Sequence, residues 1–239
     1  MLTLCLLLLS PSAYAKFEKS IALCQTPTAE QRITLDEVAR QVEMTYSSSS
    51  CAALYRKLGG QSQFLFQGIH KVIDITPLQE LTQLKYLGLG GNSISDVSPL
   101  SNLKQLTGLS LSDNNISDIS PLANLVNLEK LYLGRNQIAN IAPLRALKKK
   151  LKNVKIGNNP IKDISVLQEL TELESLVLTG IKNPDLHPLS RLIKLNYLSI
   201  GGNDIADLTP LAGLVNMKIL SIDDNQISDL APLLNMKIK

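Results

Sequence analysis

One spacing constrains this chain more than any other feature. Leu87, Leu109, Leu131, Val154, Leu176, Leu198 and Leu220 follow one another at intervals of 22, 22, 23, 22, 22 and 22 residues. Two positions after each stands a second apolar residue: Leu89, Leu111, Leu133, Ile156, Leu178, Ile200 and Ile222. Three positions further come Asn92, Asn114, Asn136, Asn159, Asn203 and Asn225, with Ile181 breaking the row. A second motif keeps the same period, as Asp96-Val97-x-Pro99-Leu100, Asp118-Ile119-x-Pro121-Leu122, Asp207-Leu208-x-Pro210-Leu211 and Asp229-Leu230-x-Pro232-Leu233. One such unit cannot bury its apolar row alone, so like units must stack into a continuous core.

The local chemistry follows from the alternation. In the L-x-L segment a short strand points its apolar residues inward and the x residues outward. Parallel strands lie about 4.8 Å apart, so eight of them span roughly 35 Å. Each Asn turns the chain away from its strand and can satisfy buried backbone groups with its amide. The Asp before each Pro-Leu can cap a tight helical turn on the opposite side. Both rows read as structural. Asp residues one strand spacing apart lack the clustered oxygens that calcium needs, so no metal is expected. A partial repeat, Leu65 to Leu78, leads in; it keeps Asp74-Ile75-x-Pro77-Leu78 but carries His70 at the Asn position. In the fifth repeat Pro184 fixes its own φ and restricts Asn183, which predicts a turn of different shape.

The first sixty residues have another texture. Leu2 to Leu9 is almost wholly apolar, Ser10-Pro11 breaks the run, and Ala13-Tyr14-Ala15 follows. That pattern predicts a secretory signal peptide over 1–15. Beyond it remain Cys24 and Cys51. Two cysteines in an exported chain suggest one disulfide, closing a loop of about 28 residues worth roughly 3–4 kcal/mol; the alternative is a pair of buried thiols. Leu35, Val38, Ala39 and Val42 form one helical stripe, whose start fits either Thr26-Pro27 or a Thr34-x-x-Glu37 box. A second short helix is expected over about Cys51 to Leu58, ending at Gly59-Gly60.

A 22-residue period with L-x-x-L-x-L-x-x-N is the leucine-rich-repeat signature. Segments such as Asn114-Asn115-Ile116-Ser117-Asp118-Ile119-Ser120-Pro121-Leu122 and Asn136-Gln137-Ile138 closely resemble the repeats of bacterial internalin-like proteins, over about 65–233. The segment from Cys24 to Cys51 resembles the N-terminal cap of exported bacterial repeat proteins. The resemblance implies an α/β solenoid: a curved parallel sheet on the concave face, short helical turns on the convex face, and a small helical N-terminal cap. It implies partner proteins bound on the concave sheet, no catalysis and no cofactor. The expected organisation is a signal peptide over 1–15, a cap over 16–60, and over 61–239 one partial repeat plus about seven more, without a C-terminal cap. The expected location is secreted, periplasmic or on the bacterial cell envelope.

Composition narrows the functions. Lys+Arg is 24 against Asp+Glu 21, a net charge of +3 that is too mild for a dedicated nucleic-acid binder. His70 and His187 fall roughly five strand spacings apart, about 24 Å, so they cannot act as a pair. The outward strand positions are the place for a partner, and the candidates there are Tyr86, Lys130, Tyr132, Arg135, Lys152, Lys155 and Tyr197, of which the Tyr and Arg are typical interface anchors. A merely solvated sheet face is the alternative. The fourth repeat also gathers Arg145, Lys148, Lys149 and Lys150 with no acid between them. This basic patch offers a second reading, an envelope component holding an anionic glycan or surface.

Overall fold

The computed structural model describes residues 11–66 and 71–236. Most of the expected signal segment, and His70, lie outside them. Three helices come first: α1 (Pro11–Gln25), α2 (Ala29–Gln41) and α3 (Cys51–Leu58). Eight strands of three residues follow: β1 (Gln63–Leu65), β2 (Tyr86–Gly88), β3 (Gly108–Ser110), β4 (Lys130–Tyr132), β5 (Asn153–Lys155), β6 (Ser175–Val177), β7 (Tyr197–Ser199) and β8 (Ile219–Ser221). They pair in parallel, in chain order, as one open sheet. Between successive strands runs a short 3₁₀ turn, from Thr76–Leu78 after β1 to Ser98–Leu100 after β2 and onward. This is the leucine-rich-repeat solenoid that the period predicts.

The 22-residue spacing is one strand step. Leu87 pairs with Leu109, Leu109 with Leu131, and the row continues through Val154, Leu176 and Leu198 to Leu220. All of these are fully buried except Leu220, which belongs to edge strand β8 and is half-buried. The lead-in repeat has a different phase from the one its Leu65 suggests. Phe64 pairs with Leu87, so Phe64 and Phe66 fill the core, with ring centroids 5.8 Å apart. Leu65 therefore faces outward and is 46% exposed.

Both polar rows do structural work. Asn114 accepts from the Ile94 amide at 3.0 Å and donates to the Leu89 and Leu111 carbonyls at 2.9 and 3.0 Å. Asn92, Asn136 and Asn159 repeat this three-way link, each stitching its own turn to the preceding repeat. Buried backbone groups that no strand serves are thereby satisfied. On the other side Asp118 Oδ1 accepts the Ser120 amide at 2.8 Å and opens the 3₁₀ turn; Asp96, Asp163 and Asp207 do the same for Ser98, Ser165 and Thr209. Asn140 replaces Asp in the third repeat, the one that begins with Leu131, and accepts from Ala142 at 2.9 Å. The fifth repeat is indeed shaped differently. Asn183 is left-handed, with φ 47°, and its amide reaches forward to the Asn203 carbonyl at 2.7 Å. The matching amide of Ile116 goes instead to the Asn136 side-chain oxygen at 3.0 Å, whereas in the fifth repeat the corresponding oxygen, on Asn203, accepts from the Ile181 amide.

The N-terminal helices close the β1 end. Leu35, Val38, Ala39 and Val42 are buried, as their spacing predicts. Helix α2 starts at neither expected point: Thr28 caps it, in a reciprocal box with Gln31. The Thr34 hydroxyl instead donates to the Asp74 carbonyl at 2.6 Å, tying the helix to the first repeat. From α3 the Tyr55 hydroxyl donates to the Pro77 carbonyl at 2.9 Å, and burial raises the phenol's pKa. Cys24 and Cys51 form the expected disulfide, Cα–Cα 5.7 Å, which pins α1 to α3.

Candidate partner-binding face

The strand register converts the outward residues into two rows. The first runs Tyr86, Gly108, Lys130, Asn153, Ser175, Tyr197, and the second Gly88, Ser110, Tyr132, Lys155, Val177, Ser199. Among the sequence candidates, Lys130, Tyr132 and Lys155 come together. Tyr132 and Lys155 are direct cross-strand neighbours, and the Lys155 ammonium stands 4.9 Å from the Tyr132 ring centroid. Lys130 shares strand β4 with Tyr132, two residues away on the same face.

Tyr86 joins this group through a glycine. A Cβ built on Gly108 would lie 2.5 Å from Tyr86 Cδ2, so the Tyr86 ring lies down over the Gly108 backbone, beside Lys130 in the row. A larger residue at 108 would lift the ring off the sheet. Leu65 leans over Gly88 in the same way, with Cδ2 2.8 Å from a Cβ built there. Leu65 escapes sequence reasoning because apolar residues flank it on both sides.

The other candidates stand apart. Lys152 faces Glu129 at 3.3 Å and Arg135 faces Asp113 at 3.4 Å, so carboxylates of this chain occupy both. Tyr197 lies three strands from Lys130 in its row, about 14 Å away. The basic patch sits at the 3₁₀ turn Ala142–Leu147, away from the strands. There the next repeat brings in an acid that the local run does not contain. Glu169 accepts from Arg145 at 2.7 Å and from Lys148 at 3.2 Å, and these bonds lower its carboxyl pKa. Lys150 donates to the Asn127 side chain at 2.7 Å. The patch is thus partly neutralised. His187 is held to Asp185, Nδ1 to Oδ1 2.7 Å, beside another turn cap. Among the described residues no cluster of acids, His or Cys could hold a metal, and no helix is long and apolar enough to cross a membrane.

The family profile "Leucine Rich repeats (2 copies)" matches residues 104–146 and 193–235. An internalin C2 from Listeria monocytogenes superposes with TM-score 0.78 at 33% identity, over 86% of this chain and 91% of that one. An internalin (inlF) of the same organism gives TM-score 0.61 at 28% identity, over 90% and 77%. The chain belongs to the internalin-like leucine-rich-repeat proteins. A comparison with curated sequences finds no match. A plant receptor kinase ectodomain, GASSHO1/SCHENGEN3 of Arabidopsis thaliana, solved with Casparian strip integrity factor 2, shares the fold at TM-score 0.55 and 26% identity, over 65% of this internalin-like chain and 20% of that one. Leucine-rich-repeat proteins generally mediate protein–protein contacts, and the internalin-like fold is typically a non-enzymatic recognition module. The Cys24–Cys51 bridge fits an oxidising compartment.

Proposed function

We propose that this internalin-like chain is an exported recognition module that binds a partner protein through its concave sheet. The observation that carries the reading is the Lys155 ammonium on the Tyr132 ring in mid-sheet, with Lys130 beside it. An aromatic already in contact with a neighbouring cation loses little freedom on binding, which favours such residues as anchors. The apolar run ending in Ala13-Tyr14-Ala15 and the disulfide support export.

The test is capture by the full chain from envelope and host-surface extracts, beside a bait carrying Tyr132→Ala and Lys155→Glu and a third carrying Lys148→Glu and Lys149→Glu. A protein retained by the native and the 148/149 baits, but lost from the 132/155 bait, is the expected result. Equal capture by all three moves the site off the concave face. Loss only from the 148/149 bait selects the basic patch instead.

A further inference from the structure

We propose that the partner presents an acidic segment, whose carboxylate is held between Lys130 and Lys155 while an apolar neighbour packs on Tyr86 and Leu65. The proposal rests on the concave reading and adds the chemistry of what is bound. Four cations stand in or beside the middle of the concave face. Lys152 and Arg135 already face Glu129 and Asp113. Among the described residues, Lys130 and Lys155 have no carboxylate within ion-pair distance. Lys130 pairs across the sheet with Asn153, two residues before Lys155 on the same strand. Their Cα atoms are therefore about 8 Å apart, and two flexible ammonium heads can converge on one carboxylate from there. One head is already aimed by the Tyr132 ring. A site of unpaired like charges on an otherwise balanced face complements an acid and repels basic partners.

The surroundings favour a protein acid over an anionic glycan. On the β1 side the floor falls to Gly108, Ser110 and Gly88, and the Tyr86 ring and exposed Leu65 lie flat on two of those glycines. This is an apolar shelf that begins one strand from Lys130 and two from Lys155. An aliphatic or aromatic side chain beside the acid would bury area there, whereas a sulfate or uronate sugar has little to bury.

The test pans random peptides displayed on phage against the full chain, then measures each clone on Lys130→Gln/Lys155→Gln, on Lys130→Arg/Lys155→Arg and on Tyr132→Ala. All changes are at exposed or half-exposed positions, and circular dichroism with thermal melting checks that each variant folds. The expected clones are enriched in Asp and Glu next to apolar residues. They bind the Gln pair about ten-fold more weakly, recover on the Arg pair, and weaken as salt is raised. Clones that need Tyr132 but carry no acids overturn the acidic segment and leave the concave reading standing. Clones indifferent to every concave change, or no clones at all, overturn both. Dextran sulfate bound with the same lysine dependence, and no acidic peptide recovered, makes the site a glycan site and overturns the proposal.

Discussion

The Lys155 ammonium lies 4.9 Å from the centre of the Tyr132 ring, one strand away and in direct register. The contact is exposed, so it orders the binding face more than it stabilises the fold. A double-mutant cycle with Tyr132→Phe and Lys155→Gln is expected to show almost no coupling, because the phenyl ring keeps its face. The cycle with Tyr132→Leu and Lys155→Gln should give about 0.5–1 kcal/mol in urea unfolding. Equal coupling in both cycles would mean that the hydroxyl or simple packing, and not the ring face, holds the lysine.

Position in the stack should decide what an asparagine is worth. Asn114 is buried between two repeats and serves one amide and two carbonyls. Asn114→Ala leaves them without partners, and a loss of about 2–4 kcal/mol is expected. Asn225 makes the corresponding bonds to Ile205, Ile200 and Ile222, but it is only partly buried beside edge strand β8. Water can reach the freed groups there, so Asn225→Ala should cost about 1 kcal/mol. Similar losses at both sites would contradict the burial argument.

The residue before each ladder position is left-handed throughout: φ is 71° at Gly91, 57° at Asp113, 55° at Arg135, 55° at Asn158, 70° at Gly180, 66° at Gly202 and 52° at Asp224. Glycine, Asp and Asn tolerate that region, and Arg is the poor fit. Arg135→Gly is therefore expected to stabilise the chain by about 0.5–1 kcal/mol. The exposed pair it loses with Asp113 is worth little. A lowered urea midpoint would show that the Arg side chain contributes more than its backbone conformation costs.

The repeats were legible because each spacing maps onto a single strand step, and the Asn and Asp rows read as structural from the same periodicity. What escaped was set by contacts between distant parts of the chain. Thr34 looked like a cap, but its hydroxyl goes to Asp74, forty residues on, and Thr28 does the capping. Leu65 sits between Phe64 and Phe66, so apolar alternation fits either phase; only pairing of Phe64 with Leu87 chooses. The basic patch looked unopposed along the chain because Glu169 lies 24 residues from Arg145 and 21 from Lys148, which is one repeat away. At the candidate face, the residue types at the outward positions were readable. Which cations keep a free charge was not, because that depends on the side-chain partners Glu129 and Asp113, which take Lys152 and Arg135.

Acid should loosen the convex side first. Hydrogen bonds from the turn lower the carboxyl pKa of Asp118, chiefly the Ser120 hydroxyl, and of Asp163, chiefly the Ser165 amide. The Thr209 hydroxyl does the same for Asp207. A carboxyl whose pKa is lower folded than unfolded adds stability that is complete above the unfolded value, about 4, and is lost as pH falls through the folded value. The urea midpoint should therefore decline below about pH 4. Asn140 supplies the control, since it accepts the Ala142 amide at 2.9 Å without any charge to titrate. Replacing Asp118, Asp163 and Asp207 together by Asn should keep the turns capped at neutral pH and flatten the decline in acid. If the triple variant loses stability as steeply as the parent below pH 4, the sensitive groups lie elsewhere. If it melts at neutral pH, charge rather than an accepting oxygen holds these turns.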